Sequence, residues 1–524
     1  MFTLEKRKYP IGVQSFTEIV KGNYVYVDKT DLIYKLINSV KYTFLSRPRR
    51  FGKSLLSSTL HCYFEGQKEL FKGLKIDSLE SEWAEYPVLH FDLSMTKNQL
   101  PEGVEDELFR QLHRYELKYG EDVLEKKPGQ KLAGIIERAA KAKGRNVVVI
   151  VDEYDAALLD NNDSAKVHRV MQEFYMPLKV QDRFLKFVFI TGITKFSQLS
   201  IFSTINNLKN ISMMPEYSAI CGITESEVHE YFDGEVAQIA DKIGRTKEEM
   251  YDLLKYEYDG YHFSFKSEDI YNPFSLMNAF SEKRLVSAWF ASGTPTFLIE
   301  QMARFNTDIT KWDELYLQES AFDRPTDSMP DALPLLYQSG YLTIKEYDYL
   351  TREYKLEIPN NEVRIGLFEC LIPTYTGLQT TGVQGFVSKL YRALNDGDIE
   401  RIIAEMRAFF ESIPYMDGFK KKLDDVVKVE AFYEYVLYLV FSMVNTYVRT
   451  QVRTANGRAD VVVFMPKVVY VFELKLNGSA EEALAQIEDK GYAIPYGTDE
   501  RKVVKCGINF STETKNIEDY RYKI

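Results

Sequence analysis

Two long apolar runs, NVVVIVD (146–152) and FLKFVFITGI (184–193), the second broken inside only by Lys186 and Thr191, constrain this chain more than anything else in it. β-branched and aromatic residues fill consecutive positions there instead of alternating with polar ones. A strand of that kind must be buried on both faces, which is the situation in the middle of a parallel sheet covered by helices. YTFLS (42–46) and PVLHFDLS (87–94) read as further strands, and 103–120 has helical apolar spacing. Strand alternating with helix over the first 210 residues or so predicts an α/β unit with a parallel sheet.

Past residue 212 the pattern changes to short helices. LPLLYQSGYLTIKEYDYLTREYKLEIPN (333–360) reads as a helix, a turn and a β-hairpin, the outline of a winged helix. From 377 a helical stretch leads to a strand pair and a final helix–strand segment. The expected division is 1–211, 212–375 and 376–524. A prior of roughly 150 residues per domain agrees with a multi-unit chain. Hydrophobic content of 45% and an aromatic share of 14% support packed cores.

Several classes are disfavoured. The start, MFTLEKRKYPIG, lacks a signal peptide's apolar segment, and no run is long enough to span a membrane. Cys62, Cys221, Cys370 and Cys506 are far apart without CxxC spacing, and the six histidines form no HExxH. That argues against zinc modules and predicts a reducing, cytoplasmic setting. A net charge of −11 gives no global nucleic-acid footprint, so any such contact must be local.

Residues 44–56 read FLSRPRRFGKSLL. A phosphate-binding turn needs a strand, a tight loop of converging backbone N–H groups, and a helix whose N-terminus faces the anion. Gly52, Lys53 and Ser54 supply its ending. Lys53 offers a point charge to the phosphates of ATP and Ser54 a hydroxyl for Mg²⁺. The first glycine of the general motif is replaced by Arg47, so Arg47, Arg49 and Arg50 are expected around the phosphates. NVVVIVDEYD then ends an apolar strand in Asp152, placed to hold the Mg²⁺ shell, and Glu153, placed to polarise water. Thr191 and Thr194 end the next run, where a polar sensor residue is expected between the other two strands.

On these residues the N-terminal part resembles AAA-like ATPases of bacteria that carry RPRRFGKS in place of a glycine-rich turn. The likeness starts at YPIGVQSF and YVDKT and runs to about Asn207. It takes in YDGYHFS, IYNPFSLMNAF and SGTPTFLIE beyond. It implies ATP and Mg²⁺ roles for Lys53, Ser54, Asp152 and Glu153. ATPases of this type often complete their sites between subunits, so a homo-oligomer is a further expectation.

A second cluster lies in RTANGRADVVVFMPKVVYVFELKL (453–476). Two β-branched runs flank Met465–Pro466–Lys467 and predict an antiparallel hairpin. Counting outward from the turn puts Asp460 opposite Glu473, with Cβ atoms roughly 5 Å apart on one face. Two carboxylates that close suit a hard divalent cation. Period-2 alternation adds Lys475 to the same face, where an ammonium can orient a metal-bound water and stabilise charge on a phosphate.

This segment resembles the PD-(D/E)XK nuclease superfamily over about 425–520, with Ala459 where the motif's proline would stand. The resemblance implies a restriction-endonuclease-like α/β domain. Asp460 and Glu473 would be Mg²⁺ (or Mn²⁺) ligands, Lys475 the water-orienting group, Glu430 an auxiliary acid and Gln486 a positioning residue. Together the two clusters predict an ATP-controlled, metal-dependent nuclease acting on DNA. The alternative is a nucleotide-gated sensor with slow turnover and little cleavage.

Overall fold

The computed structural model describes residues 8–97, 99–158, 164–193, 207–292, 299, 302, 315–323, 331–376, 378, 380–413, 436, 439–441, 443–444, 447–454, 457–497 and 500–524. Thr194 and Glu430, both expected at a site, lie outside them. The chain forms two compact units, Met1–Ala291 with Tyr316–Asn360, and Ser292–Leu315 with Asn361–Ile524.

In the first unit, β1 (Tyr42–Ser46), β2 (Val88–Asp92), β3 (Val147–Asp152), β4 (Leu185–Gly192) and β5 (Lys209–Asn210) form one sheet in the order β2-β3-β4-β1-β5. All of its pairings are parallel. β1 and β3 are buried at every position, as their unbroken apolar sequences require. One core joins the sheet to helices Pro101–Tyr119 and Pro128–Lys143, through Leu108, Leu112, Ile135 and Ile136. β4 separates the strand entering the phosphate-type turn from the one ending in Asp152. Both carboxyl ends therefore open on the same sheet edge, where ligands of open parallel sheets bind.

The same unit holds a second core built by helices Glu225–Ile243, Lys247–Tyr258 and Pro273–Glu282. A two-stranded ribbon of β6 (Ile223–Thr224) and β7 (Ile270–Tyr271) accompanies them. The first two helices begin with capping boxes at Thr224–Glu227 and Thr246–Glu249. Helix Leu333–Ser339 then leads into a sheet of β8 (Leu315–Gln318), β9 (Thr343–Asp348) and β10 (Glu353–Glu357), in the order β8-β10-β9. No helix among the described residues is long and apolar enough to cross a membrane. All four cysteines are free.

Asp259, which ends helix Lys247–Tyr258, is 1% exposed, and burial pushes its carboxyl up to about 7. The folded state thus holds a proton that the unfolded chain releases near pH 4. Stability should fall as pH rises from about 4 to about 7 and then level off, by roughly 4 kcal/mol at most. Asp259→Asn is expected to flatten that decline in thermal melts between pH 5 and pH 8. Equal declines in both proteins would mean that Asp259 ionises freely.

In the second unit, β11 (Tyr447–Thr454), β12 (Gly457–Phe464), β13 (Val468–Leu476), β14 (Lys502–Ser511) and β15 (Asn516–Lys523) pair in sequence order. β13 and β14 run parallel and the other pairs antiparallel. Helix Ala480–Asp489 crosses between the parallel pair and covers one face, where Ile487 and Tyr492 pack on Val462, Val469 and Val471. The approach is close. A Cβ on Gly507 of β14 would lie 2.4 Å from the Ala480 carbonyl, so only glycine lets the helix sit there. On the other face, Phe472 stacks on Phe441 and Tyr470 Oη donates to the Leu394 carbonyl.

Candidate functional sites in the two units

β1 delivers the chain into Arg47–Gly52, and helix Lys53–Phe64 starts directly after it. Gly52 takes φ +90°, a left-handed conformation that glycine adopts without cost, and so turns the helix N-terminus toward the loop. Two non-glycine residues at the site are also left-handed, Arg50 at φ 67° and Glu153 at φ 52°. Such conformations cost on the order of 1–3 kcal/mol each and persist only where the surroundings impose them.

Lys53 is 4% exposed, with Nζ donating to the Pro48 carbonyl at 3.2 Å and standing 3.9 Å from Glu153 Oε1. Asp152 is buried at the end of β3 and bonded by the Ser54 hydroxyl. Burial raises the Asp152 carboxyl, while Ser54 and Lys53 pull it down. Burial likewise raises Glu153 against the pull of Lys53. The structure thus brings Lys53, Ser54, Asp152 and Glu153 together. A cavity of about 370 Å³ adjoins them. Arg49, Arg50, Gly52, Lys53, Ser54 and Glu153 line it, with Ile11, Val25, Val27, Ile223 and Met277 as apolar wall.

Arg47 is placed otherwise than expected. It is 1% exposed and does not line the cavity. Its guanidinium donates to the carbonyls of Ser46, Ser212, Tyr217 and Ser218 and lies 4.1 Å from the Phe263 ring centroid. Four carbonyls in a buried pocket satisfy a planar fork of donors better than a mobile anion would, so Arg47 ties the start of the turn to the 212–218 segment. Arg50 is held by the Ala288 carbonyl and the Phe274 ring. Thr191 spends its hydroxyl on the Leu45 carbonyl, joining β4 to β1.

In the second unit the pairing Val461↔Phe472 continues by one step to set Asp460 beside Glu473. Asp460 Oδ2 accepts the Leu474 amide at 2.8 Å. Glu473 is 2% exposed. Burial first, and then the Asp460 carboxylate, push it well above the usual carboxylate range, while Lys475 pulls the other way. Lys475 Nζ lies 3.7 Å from Glu473 Oε1 and donates to Gln486 Oε1 at 2.6 Å. Gln486 Nε2 donates in turn to Glu473 and to the Tyr492 hydroxyl. Asp460, Glu473, Lys475 and Gln486 therefore form one connected cluster. Lys490, one turn beyond Gln486, is exposed at the helix end.

This cluster has room for a cation in chemical terms. Glu473 Oε2 is buried without a hydrogen-bond partner, and Asp460 and Glu473 supply hard oxygen donors side by side. Among the described residues no group of three or more His, Cys, Asp or Glu converges as a ready-made metal site.

Residues 10–202 match a family described as predicted AAA-ATPase, and residues 428–520 match the PD-(D/E)XK nuclease superfamily. A protein of Azotobacter chroococcum mcd 1, named "Uncharacterized protein in vnfD 5'region", is 32% identical over 526 residues, 98% of each chain. The chain belongs to that protein's family. It joins an AAA-ATPase-type domain to a PD-(D/E)XK-type domain.

What the motifs of the AAA-ATPase-type domain do not disclose is how its turn is held without the first glycine. Phe51, 1% exposed, inserts among Tyr261, Phe263 and Trp289 with ring centroids at 4.7, 5.2 and 6.5 Å. Two of those partners belong to YDGYHFS, whose aromatic spacing was a usable signal. Phe51→Ala is expected to destabilise the domain by about 3–5 kcal/mol in denaturant melts. A loss under 1 kcal/mol would show that the turn stands without this plug. In the PD-(D/E)XK-type domain the residue not foreseen is Tyr492, which reaches Gln486 from beyond the helix.

Proposed function

We propose that the chain is an ATP-dependent, metal-dependent nuclease acting on DNA, with its nucleotide site around Lys53 and its cleavage site around Glu473. The observation that carries this reading is the buried, unpartnered Glu473 Oε2 beside Asp460, bridged through Lys475 to Gln486. Carboxylates are stable so close together only when protonated or when a cation neutralises them.

Asp460 and Glu473 would hold Mg²⁺ or Mn²⁺, which supplies an acidified water and a Lewis acid for the phosphate. Lys475 is held by Gln486 in position to orient that water and to meet charge building on a phosphoryl oxygen. Glu430 is proposed as an auxiliary acid. In the other unit, Lys53 and the Gly52 turn would take the terminal phosphates of ATP, and Ser54 with Asp152 its Mg²⁺. Glu153 would polarise the attacking water, and Thr194 would serve as sensor. The apolar wall of the cavity suits a base. The helix and hairpin of 333–357 are proposed as a winged-helix-like element relaying nucleotide state, in a cytoplasmic protein that oligomerises.

The test is incubation of labelled DNA with Mg²⁺, with and without ATP, comparing the wild type with Glu473→Gln and Lys53→Ala. Cleavage that needs Glu473 and responds to Lys53→Ala supports the reading; cleavage unchanged in Glu473→Gln removes the nuclease assignment. One observation favours a second reading, a nucleotide-gated sensor with slow turnover. Glu153 is already paired with Lys53 and held left-handed, which keeps it from acting as a free base. Tight nucleotide retention with negligible phosphate release would select that reading.

A further inference from the structure

His61 and His90 lie 29 positions apart and no motif spacing joins them, yet their imidazoles meet. His61 sits in the last turn of helix Lys53–Phe64, and His90 in the middle of β2. The two Nδ1 atoms are 3.3 Å apart, with ring centroids 5.3 Å apart and planes tilted by 41°. That separation exceeds the usual range of about 2.7–3.2 Å between an N–H donor and its acceptor. It matches a different arrangement. Two imidazole nitrogens bound to one tetrahedral ion, each at about 2.0–2.1 Å, stand about 3.3–3.4 Å from each other.

The surroundings prepare both nitrogens as ligands. Glu65 Oε2 stands 3.3 Å from His61 Nε2, the far nitrogen of that ring. A carboxylate there draws the ring proton to Nε2 and leaves the Nδ1 lone pair facing His90, as in carboxylate–histidine–metal triads. Glu65 is itself held by Gln67, whose Nε2 donates to Oε2 at 2.7 Å. The backbone of His90 is fixed by the Tyr115 hydroxyl, which accepts from its amide at 2.7 Å and donates to its carbonyl at 2.9 Å. Burial, and then His61, lower the His90 imidazole to about 4, so it stands as a neutral ring with a lone pair to give. The His61 side chain remains 29% exposed, which gives water access to the remaining coordination positions.

We propose that His61 and His90 form a binding site for a divalent transition ion of the zinc, nickel or copper kind, with water completing its shell. Nitrogen donors select that class over Mg²⁺, which takes oxygen. Among the described residues no third His, Cys, Asp or Glu joins the pair as a ligand, so the ion is exchangeable rather than locked in. The place of the pair gives such an ion a consequence. His61 follows Ser54 by two turns on the same face of its helix, and His90 precedes Asp92, the register partner of Asp152, by two residues on β2. A bound ion therefore clamps the helix that begins with Lys53 and Ser54 onto the strand beside Asp152.

The experiment uses the full chain, free of any histidine tag, stripped with EDTA and held in excess Mg²⁺ to occupy oxygen-donor sites. Calorimetric titration with Zn²⁺ should show a site in the wild type, and its melting temperature should rise by several degrees once free Zn²⁺ reaches about 100 times Kd. Cu²⁺ in place of Zn²⁺ should give an electron paramagnetic resonance spectrum split by two nitrogens, a signature that a carboxylate site lacks. His61→Gln, at a partly exposed position, should remove the site, and Glu65→Gln should weaken it by about 10-fold to 100-fold. His113→Gln, at an exposed histidine of helix Pro101–Tyr119, should leave it unchanged. Melts without metal report whether each variant folds. A folded His61→Gln chain that binds Zn²⁺ as the wild type does would overturn the proposal. A wild type that binds no Zn²⁺, or a Cu²⁺ spectrum without nitrogen splitting, would overturn it too. No nucleotide or DNA is present, so these outcomes leave the ATP and nuclease readings untouched.

Discussion

Replacing Lys53 with alanine is expected to lower ATP turnover by about 100-fold to 1000-fold, the range for removing one preorganised charge-stabilising group. The ammonium is buried, anchored on the Pro48 carbonyl and within 3.9 Å of Glu153. Arg47 is committed to four carbonyls and Arg50 to the Ala288 carbonyl and the Phe274 ring. The loss should extend to the neighbours. Lys53 holds the Asp152 and Glu153 carboxyls down against burial, so without it both become easier to protonate. Phosphate release and nucleotide titration on wild type and Lys53→Ala decide the matter. Full turnover in the variant would show that ATP chemistry, if any, lies elsewhere.

The second large effect is expected at Glu473→Gln, which should reduce Mg²⁺-dependent DNA cleavage by about three orders of magnitude, or roughly 4 kcal/mol of barrier. Glutamine keeps the shape but removes a charge that burial and Asp460 both oppose. The same substitution should therefore leave the melting temperature unchanged or raise it, the usual trade between stability and activity at a site that holds like charges. Cleavage and melting measured on one preparation separate the two roles. A variant that loses activity and melts much earlier would make Glu473 a structural residue; one that keeps its activity would make it a bystander.

Some of this molecule was legible before any coordinates. The runs 146–152 and 184–193 read as strands covered on both faces, and β3 and β4 run through them, with Lys186 alone of β4 exposed. The hairpin count from Met465–Pro466–Lys467 set Asp460 across from Glu473, because strand period and turn position together fix register. Helix Lys53–Phe64 followed from Gly52 and the apolar positions after it. Other features could not be counted. Arg47 looked like one of three equivalent cations, yet its direction depends on carbonyls of Ser212, Tyr217 and Ser218, far along the chain. Phe51 carries no local sign of its role, which is set by its partners Tyr261, Phe263 and Trp289, more than 200 residues along the chain.

By itself the sequence determined the strands, the turn with its lysine, and the row of Asp460, Glu473 and Lys475, since each depends on residues near one another along the chain. Only the tertiary structure decided which basic residues of the turn face the cavity, what braces a turn lacking its first glycine, and that Tyr492 joins Gln486 at the second cluster. Those outcomes turn on long-range burial. A side chain's direction is settled by whichever distant surface satisfies its hydrogen bonds or covers its ring, and local periodicity carries no record of that surface.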